Sequence, residues 1–300
     1  YEQYLNQKHK IDFNDMINLA VELIKINPEK YLNRYDHVLV DEFQDISHQR
    51  MELIRCFVNE HSNTKLFCVG DDWQSINGFA GSELDYFVKF DKEFQNPEKL
   101  VLRTNYRSSK AIVEMSNKLI SYNNNKINKE VHYNPHSDLK KIRGRVVVNP
   151  EHYLDNEFLR VESYVKHLKL LLANGIHPKD ILVLSRFNRI LNRLRIACEQ
   201  RGINIEDAHE KKKGIRLRSV HKSKGLESKY VMLIDVISGI YGFPSEIKDS
   251  SVLEIAKKKN DKEPFEEERR LFYVALTRAK EGLDIFTVKG NQSLFLSEIK

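Results

Sequence analysis

The chain has 300 residues, of which 41% are hydrophobic and 31% charged, and a formal net charge of +6. This composition is typical of a globular protein, and the length suffices for one large or two ordinary domains. No apolar run is long enough to span a membrane, and no signal peptide begins the chain, so we expect a cytoplasmic protein without a membrane partner. The three cysteines are isolated, which is typical of packing residues in a reducing compartment. The modest positive charge favours a polyanionic partner.

Helices and strands alternate along the first third of the chain. Apolar residues at helical spacing predict a helix from Asp12 to Ile26. A short apolar strand, His37–Val40, follows and leads directly into acidic residues. Gln49–Glu60 is predicted as a helix, and Lys65–Val69 as a second buried strand. This alternation predicts a parallel sheet whose functional residues stand at the carboxyl ends of the strands.

The alternation continues in the remaining two thirds. Leu100–Leu102 is a strand-like run that leads to Asn105, and a capped helix then extends through Ile120. Residues 121–141 are polar and predict an exposed connection, whereas residues 245–263 predict a mobile surface segment. The further predicted strands are Arg145–Val148, Asp180–Leu184, Gly214–Val220, Tyr230–Asp235 and Gly282–Val288, and the further predicted helices are Asn156–Ala173, Arg189–Gln200 and Glu266–Lys280.

We therefore expect an α/β protein with two parallel-sheet lobes, residues 1–98 and residues 99–300. No stretch reads Gly-x-x-x-x-Gly-Lys-Ser/Thr, the loop that wraps the phosphates of a nucleotide. The chain also begins in mid-pattern at Tyr1, without an initiator Met. The first lobe is therefore expected to be incomplete, and the chain to be the C-terminal part of a larger protein.

Two carboxylates follow the first predicted strand. Asp41 and Glu42 stand where side chains of a parallel sheet reach a ligand crevice. One carboxylate there can hold Mg²⁺, and its neighbour can polarise the water that attacks a γ-phosphate. Such a pair alone is more often a solvated turn, but the whole string Asp-Glu-Phe-Gln-Asp at residues 41–45 is far more specific.

Five segments, in order along the chain, resemble the motifs of superfamily 1A DNA helicases of the UvrD/Rep type. Val40–Asp45 resembles the Walker B motif, Gly70–Ile76 motif III, Leu102–Ser108 motif IV, Val220–Glu227 motif V and Glu267–Ala279 motif VI. The resemblance implies two RecA-like lobes, the P-loop NTPase helicase core. It spans nearly the whole chain.

Three details point to the DNA helicase IV branch of that family. Trp73, Gly242–Ser245 and Arg270–Tyr273 are similar to the versions found in that branch. The interval between motifs IV and V is mostly filled by predicted strands and helices of the second lobe. The resemblance therefore implies that the 2B subdomain is tiny or absent.

The resemblance gives roles in nucleotide binding to residues of both lobes. Asp41 would hold the metal, and Glu42 would be catalytic. Gln74 would couple the γ-phosphate to the DNA site through its amide, which both donates and accepts. Tyr106 would stack on adenine. The plain alternatives are a turn-stabilising glutamine and an ordinary core tyrosine.

Two arginines of the second lobe are implied as catalytic contacts to the γ-phosphate. Arg107 and Arg278 would act as arginine fingers, because guanidinium stays charged and binds phosphate oxygens in a bidentate way. A surface salt bridge is the alternative for each. Glu227 would accept a hydrogen bond from the ribose.

The resemblance also implies DNA contacts from motifs III and V. Asn77 and Ala80 depart from the family pattern, since many relatives have Tyr and Arg there. Core packing is the alternative for Phe79, and a neutral structural histidine is the alternative for His221. The candidates for DNA contact are Asn77, Phe79, Ser219, His221 and Lys222.

The function implied is an ATP-dependent helicase that moves 3′ to 5′ on single-stranded DNA and opens duplex junctions, with ATP and Mg²⁺ as cofactors. Without a phosphate loop the chain is expected to be inactive alone and to need the missing N-terminal part of the same protein. The alternative is a UvrD-like ATPase that acts as an RNA polymerase-binding factor. A helicase–nuclease subunit is disfavoured, because little sequence follows motif VI.

Overall fold

The computed structural model describes residues 1–136, 145–151, 156–207, 213–247 and 265–299. They form two compact units, of which the first contains residues 1–97 and the second begins at Glu98. Most of the segment predicted to be mobile, residues 245–263, lies outside the described residues. Among the helices described, none is both long and apolar enough to cross a membrane.

The first unit is built on two parallel strands, β1 (His37–Val40) and β2 (Lys65–Cys68), with Val40 opposite Cys68. Asp12 caps the long N-terminal helix, because its carboxylate accepts the backbone N–H of Asp15 at 2.9 Å. The helices of this unit are Glu2–Gln7, Phe13–Ile26, Pro28–Tyr31, His48–Phe57, Asp85–Val88 and Phe90–Glu93, with 3-10 turns at Phe43–Asp45, Asp72–Gln74 and Gly78–Ala80.

The two faces of this sheet differ in burial. Val40, Leu66 and Cys68 pack on a hydrophobic core on one side. On the other side Leu39 is 73% exposed and Phe67 is 57% exposed. The sheet is therefore covered on one face only within residues 1–97. The buried residues of this core are Phe43, Ile46, Met51, Ile54 and Tyr86.

The second unit contains a five-stranded parallel sheet in the order β5–β9–β8–β6–β7. A separate parallel pair of two-residue strands, β3 and β4, precedes it in the chain. The strands are β3 (Thr104–Asn105), β4 (His132–Tyr133), β5 (Arg145–Glu151), β6 (Ile181–Ser185), β7 (Arg216–Ser219), β8 (Ser228–Leu233) and β9 (Ala279–Val288), and the helices are Lys110–Ser121, Glu157–Ala173, Asn188–Glu199, Glu266–Leu276 and Leu294–Glu298, with 3-10 turns at Pro178–Asp180 and His221–Ser223.

One interior strand of this sheet, β6, is buried along its whole length. All five residues of β6 are buried, and Ile181 and Val183 pack in one core with side chains from the helices Glu157–Ala173 and Asn188–Glu199. A continuous apolar strand of this kind is expected where a parallel sheet is covered on both faces. The core thereby fixes the strand ends that carry the motif residues.

The predicted α/β class is confirmed, because every strand pairing within the sheets is parallel. The strand implied at Leu100–Leu102 is wrong: Leu100 is 80% exposed and Leu102 is 91% exposed, and the strand is Thr104–Asn105 instead. This short run pairs with β4, which lies inside the segment predicted as a bare connection.

The last predicted helix is too long by four residues at its C-terminus. It ends at Leu276, and Ala279 already pairs with Ser228 as the first residue of β9. Helical spacing therefore continues in the sequence beyond the point where strand pairing takes over.

Candidate functional site

The acidic residues of the first unit follow β1, as the sequence predicts. Asp41 and Glu42 are exposed, and Asp41 Oδ1 accepts the backbone N–H of Glu42 at 2.9 Å. Glu42 has a φ of 51°, in the left-handed region that a residue with a Cβ adopts at a cost. Hydrogen bonds around it hold this conformation, since Phe43 N–H donates to Val69 O and Asp45 N–H donates to Glu42 O, each at 2.9 Å.

A chain of hydrogen bonds runs from Glu42 to Gln74. The buried amide of Gln44 donates from Nε2 to Glu42 Oε2 at 2.6 Å and accepts the backbone N–H of Asp71 on Oε1 at 2.9 Å. Asp71 Oδ2 in turn accepts from Gln74 Nε2 at 2.6 Å. The structure thus brings Glu42 and Gln74 into one network through two residues that the sequence motifs contain but to which sequence reasoning gave no role.

Within this network, the side chain of Gln74 is hydrogen-bonded to a residue of its own turn. Its amide bonds to Asp71, whose other carboxylate oxygen accepts the backbone N–H of Trp73 at 3.2 Å. This contact is what the turn-stabilising alternative predicts. The role of Gln74 as a γ-phosphate sensor remains a prediction.

The motif III candidates for DNA contact lie beyond this turn. Phe79 is 59% exposed, so it is not a core residue. Asn77 Nδ2 donates to Asp45 Oδ2 at 2.8 Å, which joins the end of motif III to the end of the Walker B motif. An exposed aromatic ring can stack on a base.

In the second unit, residues 105–109 form a tight turn that we call the arginine loop. Asn105 Oδ1 accepts the backbone N–H groups of Arg107 and Ser108, each at 2.9 Å. Ser108 Oγ donates to Ala279 O at 2.7 Å, and Ser109 N–H donates to Lys280 O at 2.9 Å. The loop of motif IV is therefore bonded to the segment that ends motif VI.

Glu227 of motif V joins the same group of residues. Its Oε2 accepts from Arg107 Nε at 2.8 Å, and its Oε1 forms an ion pair with Lys280 Nζ. The hydrogen bonds from Lys280 and then Arg107 hold the pKa of the Glu227 carboxyl below its ordinary value, so it is ionised near neutral pH. The salt bridge foreseen as the alternative for Arg107 is present, but its partner is itself a candidate ribose ligand.

Arg278 has an environment unlike that of Arg107. It is 1% exposed, and its guanidinium donates to Val274 O at 2.9 Å, to Leu226 O at 3.1 Å and to Thr277 Oγ1 at 3.1 Å. A phosphate contact by this side chain would require these hydrogen bonds to be exchanged. Its role as an arginine finger remains a prediction.

Tyr106 lies in the arginine loop with 68% of its surface exposed. It is therefore not the ordinary core tyrosine that was the alternative. An exposed ring next to Arg107 is suited to stacking on a flat base.

The motif V candidates lie at the end of β7. Ser219 is the last residue of that strand and is 7% exposed, whereas Lys222 is exposed. Burial lowers the pKa of His221, and the nearby Arg186 guanidinium lowers it further. The imidazole is therefore neutral near pH 7, which the structural alternative also predicts. Arg186 itself forms a two-pronged contact with Glu268, with Nε–Oε1 at 3.0 Å and Nη2–Oε1 at 2.7 Å.

The fold and these strand-end residues are those of α/β proteins that bind ligands at the carboxyl ends of a parallel sheet. The UvrD/REP helicase N-terminal domain matches residues 1–95, and the UvrD-like helicase C-terminal domain matches residues 100–209 and 203–290. The chain therefore belongs to the UvrD-like helicase family.

Relatives with recorded names agree with this assignment. DNA helicase IV of Escherichia coli K12 is 31% identical over 299 residues, which are 99% of this chain and 40% of that protein. A probable DNA helicase of Mycoplasma pneumoniae is 30% identical over 96% of this chain and 51% of its own length. The putative ATP-dependent DNA helicase YjcD of Bacillus subtilis is 32% identical over 63% of this chain and 24% of its own length. The resemblance to DNA helicase IV is thus confirmed, and the chain spans about half of these relatives or less.

Proposed function

We propose that the protein containing this chain is an ATP-driven motor that moves 3′ to 5′ on single-stranded DNA and separates duplexes at junctions. Family membership supports a DNA helicase. The observation that carries the proposal is the bonding of motifs that are remote in sequence, as in the hydrogen bond between Ser108 and Ala279, 171 positions apart. Motifs IV, V and VI thereby supply one group of polar residues rather than three.

Carboxylates of the first unit suit a magnesium-bound nucleotide. Asp41 is exposed directly after a strand. No group of three or more His, Cys, Asp or Glu residues able to hold a metal occurs in the part of the chain that the structure describes. This fits Mg²⁺, which takes one or two protein carboxylates and completes its shell with phosphates and water. When bound, Mg²⁺ neutralises charge that develops on the phosphates.

The other roles in hydrolysis are assigned to residues of this chain. Glu42 orients and polarises the attacking water, and Gln74 senses the γ-phosphate through its amide. Arg107 and Arg278 neutralise charge on the transferred phosphoryl group, Tyr106 stacks on adenine and Glu227 accepts from the ribose. These roles rest on the motifs and on the geometry within each unit.

A further segment of the same protein is part of the proposal. The phosphate-binding loop is absent from these 300 residues. Leu39 and Phe67 also expose an apolar sheet face, and parallel sheets are ordinarily covered on both faces. We expect additional chain of the first lobe to cover this face and to supply the loop.

DNA is the proposed substrate of both units. Phe79 offers an exposed ring for base stacking beside Asn77, and Lys222 offers a cation beside Ser219 and His221. A protein that acts on bacterial DNA works in the cytoplasm, so the proposal includes the cytoplasmic location expected from the sequence.

Strand displacement by the full-length protein tests this function. With ATP and Mg²⁺, duplexes with a 3′ single-stranded tail should be separated, whereas duplexes with a 5′ tail should not. Glu42→Gln should abolish displacement and leave DNA binding intact. Displacement from the 5′ tail would contradict the direction, and no displacement combined with co-purification with RNA polymerase would favour the binding factor.

A further inference from the structure

Gln44 lies between the catalytic candidate Glu42 and motif III. Gln44 is fully buried, at 0% exposure. Both ends of its amide are used, since Nε2 donates to Glu42 at 2.6 Å and Oε1 accepts from the Asp71 N–H at 2.9 Å. A buried amide with defined partners at both ends is held in one orientation.

The surrounding backbone is adapted to this side chain. A Cβ on Gly70 would lie 2.4 Å from Gln44 Oε1, so any larger residue there would displace the amide. Gln44 O also accepts from Ser75 Oγ at 3.2 Å, which ties the backbone of this residue to motif III as well. Gln44 therefore contacts motif III through its side chain and its backbone.

The other end of the amide meets a residue in a costly conformation. Glu42 has a φ of 51°, and a non-glycine residue persists there only when its surroundings fix it. The hydrogen bond from Gln44 fixes the carboxylate of Glu42 at this point. Glu42 is nevertheless an exposed residue, so solvent can reach it.

We propose that Gln44 is a positioning residue that couples Glu42 to Gln74 through Asp71. The inference rests on the proposed function, because it assigns Glu42 and Gln74 to one hydrolysis reaction. A movement of Gln74 toward a γ-phosphate releases Asp71, and the amide of Gln44 transmits that change to the carboxylate of Glu42. Gln44 is fully buried and acts only through its neighbours.

The test is ATP turnover of full-length variants with single-stranded DNA. Gln44→Met keeps the length of the side chain and removes both hydrogen bonds, and we expect kcat to fall roughly 10- to 100-fold with little change in KM. Gln95→Met, which changes an exposed glutamine of the same unit, is the matched control and should leave kcat unchanged. Thermal unfolding of each variant separates loss of fold from loss of positioning.

The decisive readout is the combination with Gln74→Ala. If Gln44 acts through the Asp71–Gln74 contact, Gln44→Met combined with Gln74→Ala should be no slower than the slower single variant. If the fold reductions in kcat of the two single variants multiply in the double variant, the coupling is overturned. If Gln44→Met does not fold, Gln44→Glu is used in its place. This substitution keeps the acceptor for the Asp71 N–H and replaces the donor to Glu42 with a negative charge. An unchanged kcat in Gln44→Glu would overturn the inference. A wild-type protein without ATP turnover would instead contradict the proposed function, and this inference with it.

Discussion

The sheets of the two units differ in how completely they are covered. In the second unit every residue of β6, an interior strand of the sheet, is buried. In the first unit β1 and β2 alternate between exposed and half-buried residues, and Leu39 and Phe67 are exposed by more than half. Since apolar faces of parallel sheets are ordinarily buried, we propose that further chain covers the exposed face of the first unit.

The groups that hold the candidate side chains also differ between the two units. In the first unit a buried amide, Gln44, holds an exposed carboxylate, Glu42. In the second unit a half-exposed carboxylate, Glu227, holds the equally half-exposed Arg107, and backbone carbonyls hold the buried Arg278. The candidate arginines therefore lie in the second unit, and the candidate metal ligand, Asp41, lies in the first.

The strongest change in activity should come from adding the segment that we propose completes the first unit. We expect residues 1–300 alone to release no phosphate from ATP above background, even with single-stranded DNA. Extension of the chain upstream through a phosphate loop should raise turnover to the order of 1–100 per second, as is typical of enzymes. Phosphate release measured on both proteins checks this. DNA-stimulated turnover by the 300-residue chain would contradict it.

The exposed sheet face of the first unit can be probed by one substitution made both in the full-length protein and in the 300-residue chain. Phe67→Ala should reduce the free energy of unfolding by about 3 kcal/mol in the full-length protein, where we expect the face to be covered. In the 300-residue chain the change should be within about 0.5 kcal/mol, because the ring is already exposed. Phe158, 66% exposed in the second unit, gives the control Phe158→Ala. Equal changes of Phe67→Ala in both contexts would refute a covering segment.

A smaller effect is expected on DNA binding. Phe79→Ala should weaken binding of single-stranded DNA by about 1–3 kcal/mol, since base stacking on an aromatic ring is lost. Equilibrium titration with a labelled oligonucleotide measures it, with Phe158→Ala again as the control. An unchanged dissociation constant would remove Phe79 from the DNA site.

The smallest change in stability should come from the partly exposed ion pair between Lys280 and Glu227 in the second unit. Lys280→Ala should lower the free energy of unfolding by at most about 1 kcal/mol, because partly exposed pairs are screened by solvent. Because the pKa of Glu227 is lowered in the folded protein, the contribution is present above the ordinary glutamate pKa and is lost as pH falls through the lowered value. Unfolding measured against pH should therefore show the difference between variant and wild type vanish in acid. A difference that persists there would have another cause.

Much of the fold follows from the sequence, and some of the site does not. Short apolar runs located β1, β2 and β6 closely, because each of these strands is a brief apolar segment bounded by polar or turn-forming residues. It placed a strand at Leu100–Leu102, because three apolar residues do not reveal whether a partner strand lies beside them. The motif made Arg278 a candidate but did not show what its guanidinium contacts, since one of the carbonyls that hold it, Leu226 O, lies 52 positions away in the sequence.

Gln44 and Lys280 show what kind of information was missing. Both lie inside or beside motifs that the sequence displays, but their roles depend on contacts with Glu42 and Glu227, which only the folded chain defines. Burial of a polar side chain was the signal for Gln44, and it cannot be read from spacing alone.

The central claim is that acidic residues of the first unit and arginines of the second serve one ATP hydrolysis reaction. The most direct measurement is the ATP turnover of full-length Glu42→Gln and Arg107→Ala, with nucleotide and DNA binding measured on the same preparations. We expect each substitution to lower kcat by roughly 10³-fold while DNA binding is retained, because one removes the group that polarises water and the other removes charge stabilisation of the phosphoryl group. Normal turnover in either variant would contradict the claim.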